Sequence, residues 1–355
     1  MPSTVKRHSF AKQEWQVILK SPEYMLNSID VLAGTFSFLH TSRNKLSETS
    51  FIDGREPLSS SPLIVLPIED LLQWQLTQNS QKGINRYLFH QSFCCSTLMA
   101  RIIDVEGKSF SYKEPQILIE LAELKAAQNS YYRNKMTWKS LLSFVLGQFN
   151  KQWSDAEQNI IKPSSWLNSM LPELLFDGGE SKAIFILTSR KDFLTAVFRG
   201  GGERIQFVYS LLNHIRSAYP EYSQIISRVE NSQLATEDMF ARLILITHAI
   251  QSKAFSRSMV MMNSGDHSTC DYQELLTNPT DCVSLVSNTL QLGLTNKEIN
   301  ISISNKFNYH SKITSRSASQ NKFTEVNRQV NKCYQQNFCR ALDWAEKNLQ
   351  ESCFV

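Results

Sequence analysis

The chain has no cysteine pair at metal-ligand or redox spacing, no long apolar run and no large surplus of either charge. Each absence removes a class of protein. Its seven cysteines, at positions 94, 95, 270, 282, 333, 339 and 353, contain no C-x-x-C pair. That argues against a zinc site and against a disulfide framework, and makes a reducing, cytoplasmic setting the expectation. No apolar run approaches the about 20 residues that cross a bilayer. The basic start (Lys6, Arg7, Lys12, Lys20) leads into no continuous apolar segment, so neither a membrane span nor a secretory signal is expected. A formal net charge of +4 over 355 residues is too small to point to nucleic acid. An anionic small ligand is compatible with it. What remains is a chain with 42% hydrophobic and 20% charged residues, enough for one large core or two modest ones. No internal repeat is present.

Along the chain, residues 1–80 read as a helical N-terminal region, with the polar stretch Thr41 to Ser61 as a linker or surface loop. Residues 81–310 read as the core and 311–355 as a closing segment. Short apolar runs at Tyr87–His90, Asn159–Ile161, Ala183–Thr188 and Met259–Met262 are candidate strands. Helical spacing lies between them at Ile117–Gln128, Trp138–Gln152, Phe193–Val197, Ile205–Ala218 and Thr236–Ser252. Strands alternating with helices predict an α/β fold, a three-layer arrangement with a parallel sheet flanked by helices. Ligands in such folds sit beyond the carboxyl ends of the strands. Asn305 to Asn321 reads as irregular. Lys322 to Gln350, with its stripe of Phe323, Val326, Val330, Tyr334, Phe338, Leu342, Ala345 and Leu349, reads as one long helix packed on the core.

One stretch carries more chemistry than the rest. In Arg86-Tyr-Leu-Phe-His-Gln-Ser-Phe-Cys-Cys-Ser-Thr-Leu-Met-Ala-Arg101, a buried strand runs into small polar residues and then into a helix. Backbone N–H groups converge at such a junction and favour a phosphate or sulfate. The plainer reading is a strand–helix turn with Ser96 or Thr97 as helix cap. A third reading takes Cys95-x5-Arg101 as a phosphatase loop with a thiolate nucleophile. Leu98-Met99-Ala100 are helix formers and oppose it. Arg199-Gly-Gly-Gly-Glu-Arg204 reads as a helix stop and loop.

Taken in order, Phe89-His-Gln-Ser-Phe-Cys-Cys-Ser-Thr-Leu-Met-Ala-Arg101, Lys113-Glu-Pro115, Ile161-Lys-Pro-Ser-Ser-Trp166, Leu187-Thr-Ser-Arg-Lys-Asp-Phe193 and Tyr272-Gln-Glu-Leu-Leu-Thr-Asn-Pro279 with Leu292-Gly-Leu294 resemble the P-loop sulfotransferase superfamily, in its bacterial sulfotransferase-like branch. The resemblance spans residues 85–295. It implies a P-loop nucleoside-triphosphate-hydrolase-like core and transfer of a sulfuryl group from the donor substrate PAPS (3′-phosphoadenosine 5′-phosphosulfate). The expected acceptor is a hydroxyl or amine of a small molecule or glycan, with no metal. By that likeness Ser92, Phe93, Cys94, Cys95, Ser96 and Thr97 hold the phosphosulfate, with Phe93 where relatives carry Lys. Lys162 neutralises the leaving oxygen, Glu114 or His90 deprotonates the acceptor, and Arg190 and Thr195 hold the 3′-phosphate. Two alternatives stay open: a catalytically inactive nucleotide- or anion-binding protein of the same fold, and a small-molecule kinase. The kinase would need G-x-x-x-x-G-K-[ST].

Overall fold

The computed structural model describes residues 12–77, 83–177, 179–306 and 320–349. Its strands are β1 (Tyr24–Asp30), β2 (Thr35–His40), β3 (Ile64–Pro67), β4 (Asn85–His90), β5 (Ser109–Lys113), β6 (Gln158–Lys162), β7 (Ser181–Leu187) and β8 (His267–Asp271). The helices used below are α1 (Ser96–Ile102), α2 (Gln116–Ala126), α3 (Lys135–Gln148), α4 (Arg190–Arg199), α5 (Gly201–Ile215), α6 (Thr236–Met261), α7 (Pro279–Thr289), α8 (Gln320–Cys333) and α9 (Gln335–Asn348).

The main sheet has five strands in the order β5-β6-β4-β7-β8, and all its neighbours are parallel. β4 is buried at every position and β7 at all but its last, because helices cover both faces. Side chains alternate between the two layers. Leu88, Ile160, Ile184 and Ile186 pack with Met99, Ile102, Val283 and Val286 of α1 and α7. Tyr87, Phe89, Ile161 and Phe185 pack with residues of α2, α3, α4 and α6. Aromatic contacts tie this second layer together, Tyr87 to Phe89 at 5.0 Å, Phe89 to Phe185 at 5.5 Å and Phe185 to Phe255 at 5.1 Å. The expected three-layer α/β fold is therefore present. After β4 the chain builds β5 and β6 on one side, then crosses to β7 and β8 on the other. The loop after β4 thus lies at the switch point, where parallel sheets open a crevice.

Five expectations need correction. The N-terminal region is not simply helical: β1, β2 and β3 form an antiparallel sheet. Phe36 and Phe38 alternate with Ser37 and are fully buried in the same core cluster as Tyr87 and Phe89, so period-two patterning wins over helical propensity. The supposed linker contains a helix, Arg43–Glu48, capped by Ser42 and docked through Leu46. Buried ion pairs from Arg43 to Asp104 and Glu157 hold it against the main sheet, and Lys113 Nζ donates to the carbonyls of Leu46 and Ser47 at 2.8 and 3.0 Å.

Met259–Met262 is not a strand: residues 259–261 are the last turn of α6, where Val260 and Met261 are exposed. The edge strand is β8, a polar sequence whose only buried residue is Cys270. Cys270 is joined to Cys282 of α7 by a disulfide, although no disulfide framework was expected. The closing helix is two helices, α8 and α9, interrupted at Tyr334. The break lets α9 bury Phe338, Ala341 and Ala345, while Arg340 pairs with Asp238 of α6. The remaining expected helices coincide with α2, α3, α4 and α5 within a few residues. Most of Asn305 to Asn321 lies outside the described residues. Among the described residues no helix is long and apolar enough to cross a membrane.

Candidate active site

Because the main-sheet strands run parallel, the last residues of β4, β5 and β6 lie along one edge. They are His90, Lys113 and Lys162, with Glu114 following Lys113. That edge gathers the three residues expected to be catalytic. Lys162 Nζ lies 2.5 Å from Glu114 Oε1 and 3.0 Å from His90 Nε2. Glu114 Oε1 is 3.8 Å from His90 Nε2. An ammonium only donates, so His90 Nε2 is an acceptor and its Nδ1–H donates to the Gln91 carbonyl at 3.1 Å. The Pro163 carbonyl, also 3.1 Å from Nε2, is then a neighbour and not an acceptor.

The electrostatics follow from burial. His90 is pushed down to about 3, first by loss of solvent and then by the Lys162 charge, with Glu114 opposing. For Glu114, burial acts to raise the value, but the Lys162 charge and its hydrogen bond, helped by Arg55, outweigh it and hold the carboxyl below its usual range. At neutral pH the cluster is therefore a buried ion pair with a neutral imidazole attached. The Lys162 side chain has no exposure, whereas Glu114 retains 12%, so Glu114 is the member of the pair that faces outward. Glu114 also sits at φ 59°, a left-handed conformation that is strained for a non-glycine residue and disfavoured before a proline. Its backbone N–H donates to Lys162 O at 2.7 Å. The segment at Phe51–Arg55 borders the cluster. Ile52 N donates to Lys113 O at 2.8 Å, Phe51 lies 6.0 Å from Lys162 Nζ, and Arg55 stacks on Phe51 and pairs with Asp53.

The loop after His90 turns through two left-handed residues, Phe93 (φ 64°) and Cys95 (φ 60°), and leads into α1. Each costs about 1–2 kcal/mol for a residue with a Cβ, so the surroundings must fix the turn. Gln91 does much of this: its Oε1 accepts from Thr188 N at 2.8 Å and its Nε2 donates to Ser252 Oγ at 2.7 Å. Ser92 Oγ donates to Ser165 Oγ at 2.8 Å, bringing the loop against the turn after β6. Ser96 and Thr97 are buried in the first turn of α1, and Cys95, not a hydroxyl residue, occupies the cap position.

The phosphatase reading fails here. Cys94, which is not the cysteine of that motif, points inward to the Gln91 carbonyl, and burial pushes its thiol up to about 12; the motif itself fails on Arg101. Arg101 is carried along α1, about 9 Å of rise from Cys95, into the neighbourhood of Asp104 and Lys113.

Arg190 opens α4 just past β7, and its charge faces His248. Thr195 lies one turn further, buried, with its hydroxyl 2.8 Å from Asn331 Oδ1 of α8 and 2.9 Å from the Lys191 carbonyl. It packs against α8.

A supporting layer escaped the sequence reading. His248, Gln251 and Ser252 share one face of α6; His248 and Ser252 reach residues just past strand ends, and Gln251 reaches Asn168 in the turn after β6. His248 Nε2 donates to Thr188 O at 2.7 Å, and Ser252 receives Gln91. Gln251 Oε1 accepts from Asn168 Nδ2 at 2.9 Å, and that amide also lies 3.2 Å from the His90 carbonyl. Polar residues at helical spacing within the apolar run of α6 were the available signal. Arg199 and Arg204 also come to the loop: Arg204 lies 4.8 Å over the Phe93 ring, and both arginines sit in the field of Cys95.

No family model matches the chain, and no curated protein matches it in sequence. Among solved structures it is similar to the sulfotransferase domain from the curacin biosynthetic pathway, at 10% identity over 75% of this chain and 99% of that one, with a TM-score of 0.40. It is also similar to a sulfotransferase from Alicyclobacillus acidocaldarius, at 11% identity over 74% and 96% of the two chains, with a TM-score of 0.35. At these values the likeness does not bear on chemistry. The residues must carry that.

Proposed function

We propose that this protein transfers a sulfuryl group from PAPS to an acceptor hydroxyl or amine. The observation that carries the reading is the cluster of His90, Glu114 and Lys162, drawn from three adjacent strand ends and set beside the loop at 91–95. Lys162 also lies in the field of Cys94, which links the cluster to that loop.

In the proposed reaction the phosphosulfate lies on the amides of residues 92–97. The acceptor oxygen or nitrogen attacks sulfur in line as the bond from sulfur to the bridging phosphate oxygen breaks. The acceptor's proton passes to Glu114, the carboxylate of the cluster and its most exposed member. The leaving group is 3′-phosphoadenosine 5′-phosphate, and Lys162 stabilises the charge that develops on its departing oxygen. His90, neutral and accepting from Lys162, orients that ammonium. Arg190, at the start of α4, holds the 3′-phosphate through its planar fork. Thr195, committed to Asn331, has no part in this scheme.

The full burial of Lys162 favours a second reading, a nucleotide-binding protein without transfer activity. Calorimetry with 3′-phosphoadenosine 5′-phosphate, ATP and inorganic phosphate tests both. Preference for the bisphosphate supports the donor site, and no binding to any of the three removes both readings. If the bisphosphate binds, Lys162→Ala decides between them, since a transferase loses turnover while a binding protein has none to lose.

A further inference from the structure

We infer that Arg204, backed by Arg199, supplies the positive charge of the turn at residues 92–95 and selects a ligand with a phosphate or sulfate group there. The inference rests on the donor site proposed above. It concerns which residue provides the charge that the loop, with Phe93 at its crest, does not.

Arg204 is held where a lone cation is unfavourable. It lies in the first turn of α5, where the helix dipole opposes positive charge. Arg199, the last residue of α4, stands close enough that the two charges repel. Burial first and Arg204 second hold the Arg199 guanidinium down to about 10. Among the described residues no carboxylate lies within ion-pair distance of Arg204. Its guanidinium instead donates to the Ala196 carbonyl at 2.6 Å and covers the face of Phe93.

The route of the side chain is built in. It folds back across Gly200, where an added Cβ would meet Arg204 Cδ at 2.0 Å and Cγ at 2.3 Å. Only a glycine at 200 lets the arginine reach back over α4 to Phe93. Arg204 over the Phe93 ring, with the Arg199 charge behind it and the Arg199 guanidinium itself donating to Asn327 Oδ1, favours a polyvalent oxyanion at the turn, and a planar guanidinium is the group best matched to its oxygens.

The test uses the full-length protein and 3′-phosphoadenosine 5′-phosphate as the probe, titrated by calorimetry at fixed salt, with circular dichroism confirming each fold. Arg204→Ala is expected to weaken binding roughly ten- to a hundredfold, the range for loss of a charged hydrogen bond. Arg204→Lys is expected to recover part of this. Gly200→Ala keeps every charge and has an ordinary backbone conformation (φ −85°), but displaces the arginine. It is expected to weaken binding several-fold, and it decides the matter if Arg204→Ala fails to fold. Parental affinity in Arg204→Ala, or in Gly200→Ala where that variant decides, overturns the inference and leaves the donor site standing. A parent protein that does not bind the probe removes the donor site and this inference together.

Discussion

Removing the Lys162 charge is the sharpest perturbation of the cluster. In Lys162→Met the methionine fills most of the lysine's volume, but Glu114 loses the one lysine or arginine that, among the described residues, lies within 4 Å of it, and His90 loses its donor. Stranding one member of a buried ion pair costs about 3–5 kcal/mol. The 12% exposure of Glu114 gives it some solvent, so the lower end, about 3 kcal/mol, is expected. Unfolding entropy of about 2.1 cal/mol/K per residue converts this to a fall of about 4 °C in melting temperature for a chain of this length. Calorimetric melts at pH 7.5 provide the measurement. Glu114→Gln in the same background is expected to restore most of the loss, because no unpaired charge is left. A Lys162→Met protein that melts within 1 °C of the parent, with no coupling to Glu114→Gln, would refute the reasoning. The pair would then not be the buried electrostatic unit described above.

Acid should destabilise the fold through His248. Burial, more than the nearby Arg190, lowers it to about 4, while an unfolded histidine titrates near 6.5. The unfolded chain binds more protons between those values, so stability falls as pH drops from about 6.5 to about 4, by about 3 kcal/mol in total. Chemical denaturation at pH 7, 5.5 and 4.5, with His248→Gln reducing the slope, checks this. The Cys270–Cys282 bridge closes a separation of 12 residues, so the Cys270→Ser, Cys282→Ser double variant is expected to lose about 3 kcal/mol in a melt. Timed alkylation with peptide mapping of the native protein should label Cys95 well before Cys94, which is buried and has a raised thiol pKa. Equal rates would contradict the inward placement of Cys94.

The parts of the fold that the sequence revealed are those where local pattern and tertiary environment agree. Tyr87–His90 and Ala183–Leu187 are apolar on both faces because the sheet is covered on both faces. Ile160-Ile161-Lys162 placed a lysine at a strand end for the same reason. Parallel pairing brings these ends together, but with β5 unrecognised Glu114 was expected only at a helix start, so its contact with His90 and Lys162 was not anticipated. The hidden parts are those where context decides. β5 (Ser109-Phe-Ser-Tyr-Lys113) is too short for its alternation to stand out. β8 is an edge strand with polar residues, and only its pairing to β7 makes it a strand. The last turn of α6 is as apolar as a strand yet continues the helix. Arg199 and Arg204 looked like the flanks of a glycine loop, because nothing local tells that Gly200 lets one arginine fold back onto a loop more than a hundred positions earlier.

The most direct test is a crystal structure of the protein with 3′-phosphoadenosine 5′-phosphate. The account predicts the 5′-phosphate on the amides of residues 92–97, within ion-pair distance of Arg204, with its oxygens directed toward Lys162. A nucleotide bound away from the carboxyl ends of β4 and β6, or crystals grown in millimolar bisphosphate with none bound, would contradict it.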